Sequence, residues 1–309
     1  MITVETVLYD PWGKCIRISN GVVELYATLE FGPRIIRFNV IGHENIFFED
    51  RQFRVTNDLS PYSGYFPYNT WKLYGGHRLW AAPEEMPRTY FTDHEPVEYE
   101  CFDNGIILKQ MLQPTVQISA FMKIMMAEDG TVTVQHTISN HNVWPISLAP
   151  WAVSALCKDG LEVIPIPQEQ TDLLPNACLS LWPYTRMNDH RVYWGEKFIT
   201  LRQDRHTTRA FKFGLSNTAQ YAAYFVHGCL FLKKFTYQKN ATYPDFGVNF
   251  ETYTANEFLE MESLGPLTAL APGANVCHVE SWSVYSDIPA PEPQDELALD
   301  AALAPYVEG

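Results

Sequence analysis

The sequence contains no block of lysines and arginines. Its 22 basic residues are outnumbered by 36 acidic ones, for a net charge of −14, which argues against a nucleic-acid partner. No apolar run reaches the roughly 18 residues that a membrane span needs, so no membrane partner is expected. The opening residues, MITVETVLYDPWGK, lack a basic stretch followed by an apolar one. No signal peptide is therefore expected, and the cytoplasm is the expected location. The six cysteines (Cys15, Cys101, Cys157, Cys178, Cys229, Cys277) are scattered, with neither a CxxC pair nor a Cys/His cluster. Neither a zinc site nor a disulfide framework is suggested, and reduced, mostly buried thiols are expected. No cofactor and no metal are implied. No amphipathic helix is legible before residue 290.

What the chain does have is short strands and turns. Cys15–Ser19 and Val22–Thr28 flank Asn20-Gly21, a hairpin signal. Ile106–Met111, Ile118–Met126, Thr131–Ser139, Ile146–Leu156 and Leu161–Ile166 follow, separated by Asp/Asn/Gly turns. Strands resume at Phe198–Arg202, Tyr221–Val226, Cys229–Tyr237, Phe250–Thr254, Phe258–Leu264 and His278–Tyr285, with a tight turn at His227-Gly228. Turn signals every 8–12 residues mean a sandwich or barrel. So many strands outgrow one small sandwich, and two large antiparallel sheets packed face to face fit better. The expected class is all-β. Hydrophobic residues make up 46% of the chain, enough for a large core, and aromatics 14%. Aromatics favour pleated surfaces, and they also stack on sugar C–H patches.

Two stretches break the pattern. Residues 51–96 and 167–195 have little periodicity and many Pro and aromatic residues. Long irregular segments in a compact domain are usually functional or disordered, and the aromatic content argues against disorder. The expected organisation is one β domain over 1–287, then a Pro-rich linker and a short helix over 288–309. That helix, read as 295–303, carries Leu299 and Leu303 on one side. It would dock on its own chain or on a second copy, making the C-terminal segment a candidate homodimer contact.

The chemistry is expected where carboxylates interrupt the strands. In a strand, alternate side chains share a face, so Phe258, Glu260 and Glu262 point one way and Leu259 and Met261 the other. Glu251 lies on the strand before. Two close carboxylates on a core strand are costly unless something cationic or wet covers them, and a cleft holding a polar ligand would supply that. In the first irregular stretch, Gly75-Gly76-His77-Arg78-Leu79-Trp80 sets an imidazole beside a guanidinium. Histidine serves as general acid or base, and arginine offers a rigid fork of donors. The same residues also read as a loop-anchoring ion pair with a hydrogen-bonded histidine. His136 shares a face with Val132 and Val134, and the commoner reading of such a residue is a satisfied core histidine. Trp151 and Trp144 read as core or cleft wall, Pro83-Glu84-Glu85 as a solvated turn. Lys233 and Lys234 alternate faces, so one of them could balance a glutamate.

Together these features resemble the galactose mutarotase-like superfamily, the aldose 1-epimerase fold, over most of residues 15–285. Three segments carry the likeness: Gly75–Trp80, Asn140–Leu156 (NHNVWPISLAPWAVSAL) and Phe258–Gly273 (FLEMESLGPLTALAPG). GGHRLWAAPE and the run ETYT…ESLGPL…LAPG also resemble a bacterial subgroup of that fold. The resemblance implies a super-sandwich with a sugar cleft on one sheet face. It implies an epimerase in which a glutamate takes the anomeric hydroxyl proton and a histidine protonates the ring oxygen. Glu262 matches the glutamate best, with Glu260 and Glu251 behind it. The segment matching the family's histidine, Ser147–Trp151, has none. Either His77 or His136 supplies the acid, or the chemistry is different or absent. The expectation is therefore a sugar epimerase with Glu262 and His77 catalytic and Arg78, His136, Glu260, Glu251, Trp151 and Trp80 binding a small sugar. A non-catalytic sugar-binding protein, or a lyase or hydrolase on a larger glycan, is the alternative.

Overall fold

A computed structural model describes residues 1–307 and contains two large antiparallel sheets, a two-stranded ribbon, a single 3-10 turn and one α-helix. The larger sheet runs in the order Thr3–Tyr9, Gly13–Ser19, Val23–Thr28, Ile35–Val40, Gly76–Ala82, Ile146–Leu156, Leu259–Leu264, Phe250–Thr254, Phe211–Leu215, Leu179–Leu181. Thr268–Leu270 pairs with the start of Ile146–Leu156. The smaller sheet is ordered Val192–Trp194, Phe198–Arg202, Leu161–Pro165, Tyr221–Val226, Cys229–Phe235, Asn275–Tyr285, Val132–Asn140, Ile118–Met126, Gly105–Lys109, Glu98–Phe102. This is the expected all-β sandwich.

The sequence pattern explains which faces are covered. In Ile118–Met126, Ile118, Ala120, Met122, Ile124 and Met126 are buried while the residues between them are half-exposed. That alternation is the mark of a sheet with one face on the core. Ile146–Leu156 is buried on both faces from Leu148 onward, because it runs through the centre of the larger sheet with further chain over its outer side. Between the sheets, Phe38, Phe47, Phe231 and Trp282 form an aromatic centre with ring centroids 5.6–6.2 Å apart. Such offset and edge-on pairs add to the stabilisation from area burial. At His227-Gly228, φ is 53° and 71°, so both central residues are left-handed, as the right-handed twist of the flanking strands requires.

Three expectations are corrected. The Gly75–Trp80 region is not a loop. Gly76–Ala82 is a strand, paired along Ile146–Leu156 and touching Ile35 at His77. Phe211–Leu215 is a strand that escaped notice. The helix is longer than read, Glu296–Val307, with Pro305 inside it; Leu299 and Leu303 pack on Phe198, Phe225 and Leu232, the outer face of the chain's own smaller sheet. The last two residues of the 288–309 segment lie outside the described residues.

The glycine pair makes the new strand possible. Gly75 and Gly76 have φ of +101° and +67°, and a Cβ on either would fall 2.0 Å from the Phe48 carbonyl oxygen or 2.2 Å from that of Ile35. Only glycine allows both the dihedral and the approach.

Candidate functional site

Five neighbouring strands of the larger sheet place one row of side chains on its outer face. The register pairs Val153 with Arg78 and with Glu262, Trp151 with Trp80, Glu251 with Glu262, and Tyr253 with both Glu260 and Lys212. Opposed residues in a ladder project to the same side, so Arg78, Trp80, Trp151, Glu260, Glu262, Tyr253 and Lys212 share this face. The two irregular stretches rise over it. Asn57, Trp71, Glu84 and Tyr90 come from the first and Tyr184 from the second. Together they enclose an open cleft of about 270 Å³, near the small end of ligand sites.

The carboxylates on the cleft floor are paired. Glu262 Oε2 accepts from Trp151 Nε1 at 2.8 Å and from Lys212 Nζ at 2.9 Å. Lys212 Nζ also lies 2.8 Å from Glu251 Oε2. Glu260 Oε1 accepts from Arg78 Nη1 at 2.9 Å. Each cation lies against an indole, Lys212 Nζ 4.7 Å from the Trp151 centroid and Arg78 Cζ 4.1 Å from that of Trp80. Burial alone would lower the Lys212 ammonium, but the Glu262 and Glu251 carboxylates outweigh it and raise its pKa. Burial pushes Glu251 well above the ordinary carboxylate range against the pull of Lys212, and raises Glu260 against Arg78. Glu262 Oε1 is buried and has no hydrogen-bond partner. One oxygen of this carboxylate is held by two donors, and the other is enclosed without a partner.

The histidines lie elsewhere. His77 follows Gly76 and precedes Arg78, so it projects through the opposite face, into the sandwich interior, where it is fully buried. Its Nδ1 is 2.8 Å from Ser154 Oγ and its Nε2 2.7 Å from His136 Nε2. His136, also fully buried, sits on the facing sheet with Nδ1 3.2 Å from the His278 carbonyl. A carbonyl only accepts, so His136 carries its proton on Nδ1 and His77 donates from Nε2. His77 Nδ1 then accepts from Ser154, whose oxygen accepts from Lys233 Nζ at 3.1 Å. Lys233 is 2.8 Å from Glu280 Oε1, and Glu280 also accepts from Ser263 Oγ and Trp282 Nε1. Burial holds His77 well below its usual pKa and lowers His136 and His278 to about 3, so all three stay neutral. The expected roles of His77 and His136 are corrected: both belong to an interior network and neither reaches the cleft. Lys233 balances Glu280 inside, and Lys212 serves the cleft instead.

His77, His136 and Glu280 present ligand atoms within 4.8 Å of one another. Two imidazoles on one tetrahedral metal at about 2.1 Å would hold their nitrogens roughly 3.4 Å apart. The observed 2.7 Å and the adjacent Lys233 ammonium fit a hydrogen-bonded chain better.

Trp80 and Trp151 line the cleft, as do Arg78, Glu260 and Glu262. Glu251 lies behind Lys212. Trp144 is 60% exposed, neither core nor cleft wall, and Glu84, read as a solvated turn, lines the cleft and accepts from Tyr90 Oη. Lys212 is a cleft residue that the sequence reading does not include. Its signal was the alternation Phe211-Lys212-Phe213-Gly214-Leu215, with Phe211, Phe213 and Leu215 in the core.

No family model matches the chain, and no curated protein matches it. Solved structures do. A galactose mutarotase-like protein from Lactobacillus casei superposes with a TM-score of 0.58 at 12% identity, over 88% of this chain and 100% of that one. The chain has the galactose mutarotase-like fold. A second protein of that description, from Clostridium acetobutylicum, gives 0.54 at 8% identity, over 92% and 99%. A putative mutarotase from Salmonella typhimurium gives 0.53 at 10%, over 92% and 94%. In the mutarotase-like fold of this chain the polar floor, the aromatic walls and the two irregular stretches converge on a single cleft. Among the described residues no helix is long and apolar enough to cross a membrane.

Proposed function

We propose that the protein is a carbohydrate-active protein that binds an aldose in this cleft and interconverts its anomers, with Glu262 as general base. The observation that carries this reading is the asymmetry of Glu262: Oε2 is held by Trp151 and Lys212 while the buried Oε1 has no partner. A fixed carboxylate with one unpartnered oxygen beneath an aromatic-walled cleft suits removal of the anomeric hydroxyl proton. As that proton leaves, the C1–O1 bond becomes a carbonyl, the bond from C1 to the ring oxygen breaks, and the ring oxygen takes a proton. Closure on the other carbonyl face gives the other anomer. Tyr184, which lines the cleft and brings a phenolic hydroxyl that is protonated at neutral pH, is the candidate donor. Arg78 would orient a hydroxyl. The six unpaired thiols fit a reducing compartment such as the cytoplasm.

The test is an NMR exchange assay on a panel of aldoses. Faster exchange between anomers than in buffer, lost in Glu262→Gln, supports the proposal; buffer rates for every sugar overturn the isomerase claim. A second reading, a non-catalytic sugar-binding protein, is favoured by the lack of an imidazole among the described cleft residues. It predicts binding that survives Glu262→Gln, with no exchange in either protein.

A further inference from the structure

The polar floor of the cleft repeats itself. Glu262 is joined to Lys212, and Trp151 lies against that pair. Two residues along the same strand, Glu260 is joined to Arg78, and Trp80 lies against that pair. Each unit therefore has a carboxylate that accepts, a cation that donates and an indole face beside them. A carboxylate next to a cation can receive adjacent hydroxyls of one sugar ring, and an indole can cover that ring's C–H face. The two units are about 7 Å apart, twice the rise of a strand, a separation on the scale of consecutive rings in a glycan. The two indoles touch edge-on, with the Trp80 and Trp151 ring centroids 5.3 Å apart and the planes at 65°, so each presents its own face.

The surroundings agree with more than one ring. Over the second unit, Trp71 and Tyr90 stand 5.4 and 5.2 Å from the Trp80 ring. Tyr184, 41% exposed, leaves the mouth partly open.

We infer that the cleft holds two consecutive sugar units, a reducing-end ring over Glu262–Lys212–Trp151 and the next ring over Glu260–Arg78–Trp80, so that its ligand is a reducing disaccharide or the end of a longer glycan. This rests on the cleft being a sugar site, and the experiment separates the two claims. The full chain is titrated by tryptophan fluorescence and calorimetry with glucose and galactose, and with maltose, cellobiose and lactose, whose reducing-end ring is glucose. At least one disaccharide is expected to bind about tenfold more tightly than glucose, the scale of one added hydrogen bond to a charged group. Trp80→Ala is expected to remove most of that ratio. Monosaccharides that bind as tightly as every disaccharide overturn the two-unit inference and leave the proposed function standing. No binding by any of the sugars overturns both. If Trp80→Ala fails to fold, the ratio measured on the unaltered protein still decides.

Discussion

The Lys212 ammonium lies 2.9 Å from one oxygen of Glu262 while the other oxygen of that carboxylate, equally enclosed, has no partner. A second carboxylate, Glu251, stands 2.8 Å behind the same ammonium. One cation thus organises two acidic groups that would otherwise repel each other on adjacent strands. Removing it leaves buried charge without a partner.

Lys212→Met is accordingly expected to lower stability by about 3–5 kcal/mol, the usual cost of breaking one side of a buried ion pair. Adding Glu251→Gln should recover part of the loss, because it removes one of the two stranded acids. Urea denaturation of the two single variants and the double variant measures the coupling. Strict additivity would mean that Lys212 and Glu251 do not act as a unit.

Glu262→Gln keeps the size of the side chain and the contact with Lys212 but cannot take a proton. Anomer exchange should fall by about 10²–10⁴, the usual contribution of a general base, with sugar affinity changed far less. NMR exchange and calorimetry on the same preparations separate the two effects.

Acid should weaken the fold through the interior histidines. Burial lowers His136 and His278 to about 3, whereas an unfolded imidazole titrates near 6.5. Between these values the unfolded chain binds protons that the native chain does not. Their contribution is therefore complete above about pH 6.5 and is lost as the pH falls toward 3. Glu162, Glu251 and Glu260, raised by burial, act in the opposite sense, but only above about pH 4.3, where an unfolded glutamate ionises. Below that the histidines face no such opposition. His136→Gln should reduce the slope of stability against pH in this acidic window by up to about 1.4 kcal/mol per unit. Denaturant titrations at several acidic pH values would show it, and an unchanged slope would mean that His136 titrates normally.

Leu303→Ala should cost about 2–5 kcal/mol, since Leu303 is 1% exposed and packs with Leu299 on the smaller sheet. Leu297→Ala, at a position 85% exposed, should be close to neutral. Thermal melts of the two variants make the comparison.

Much of the architecture was legible because it rests on period-two patterning and turn chemistry. Asn20-Gly21 and His227-Gly228 marked hairpins that the register bears out. Phe258, Glu260 and Glu262 were correctly assigned to one face, since alternation within a strand is local information. The failures were of two kinds. Gly76–Ala82 and Phe211–Leu215 are short strands embedded in polar or Pro-rich sequence, and their pairing partners lie far along the chain. Without the first strand, His77 and Arg78 looked like loop neighbours with a common destination. Without the second, Lys212 was invisible, and Lys233 was offered the role that Lys212 fills. Periodicity says which residues share a side, but not which side meets solvent when both are buried, as along Ile146–Leu156.

The glycine pair ahead of Arg78 has a wider consequence. Because neither Gly75 nor Gly76 tolerates a Cβ against the carbonyls of Phe48 and Ile35, the point at which the strand begins is pinned, and with it the odd–even identity of every later position. Odd residues face inward, His77 into the hydrogen-bond chain and Leu79 and Ala81 into the apolar core, while Arg78 and Trp80 face the cleft. Substitutions at 78 and 80 therefore reshape the cleft while 77 and 79 stay fixed, whereas inserting or deleting a single residue there would exchange the two sets and disturb both.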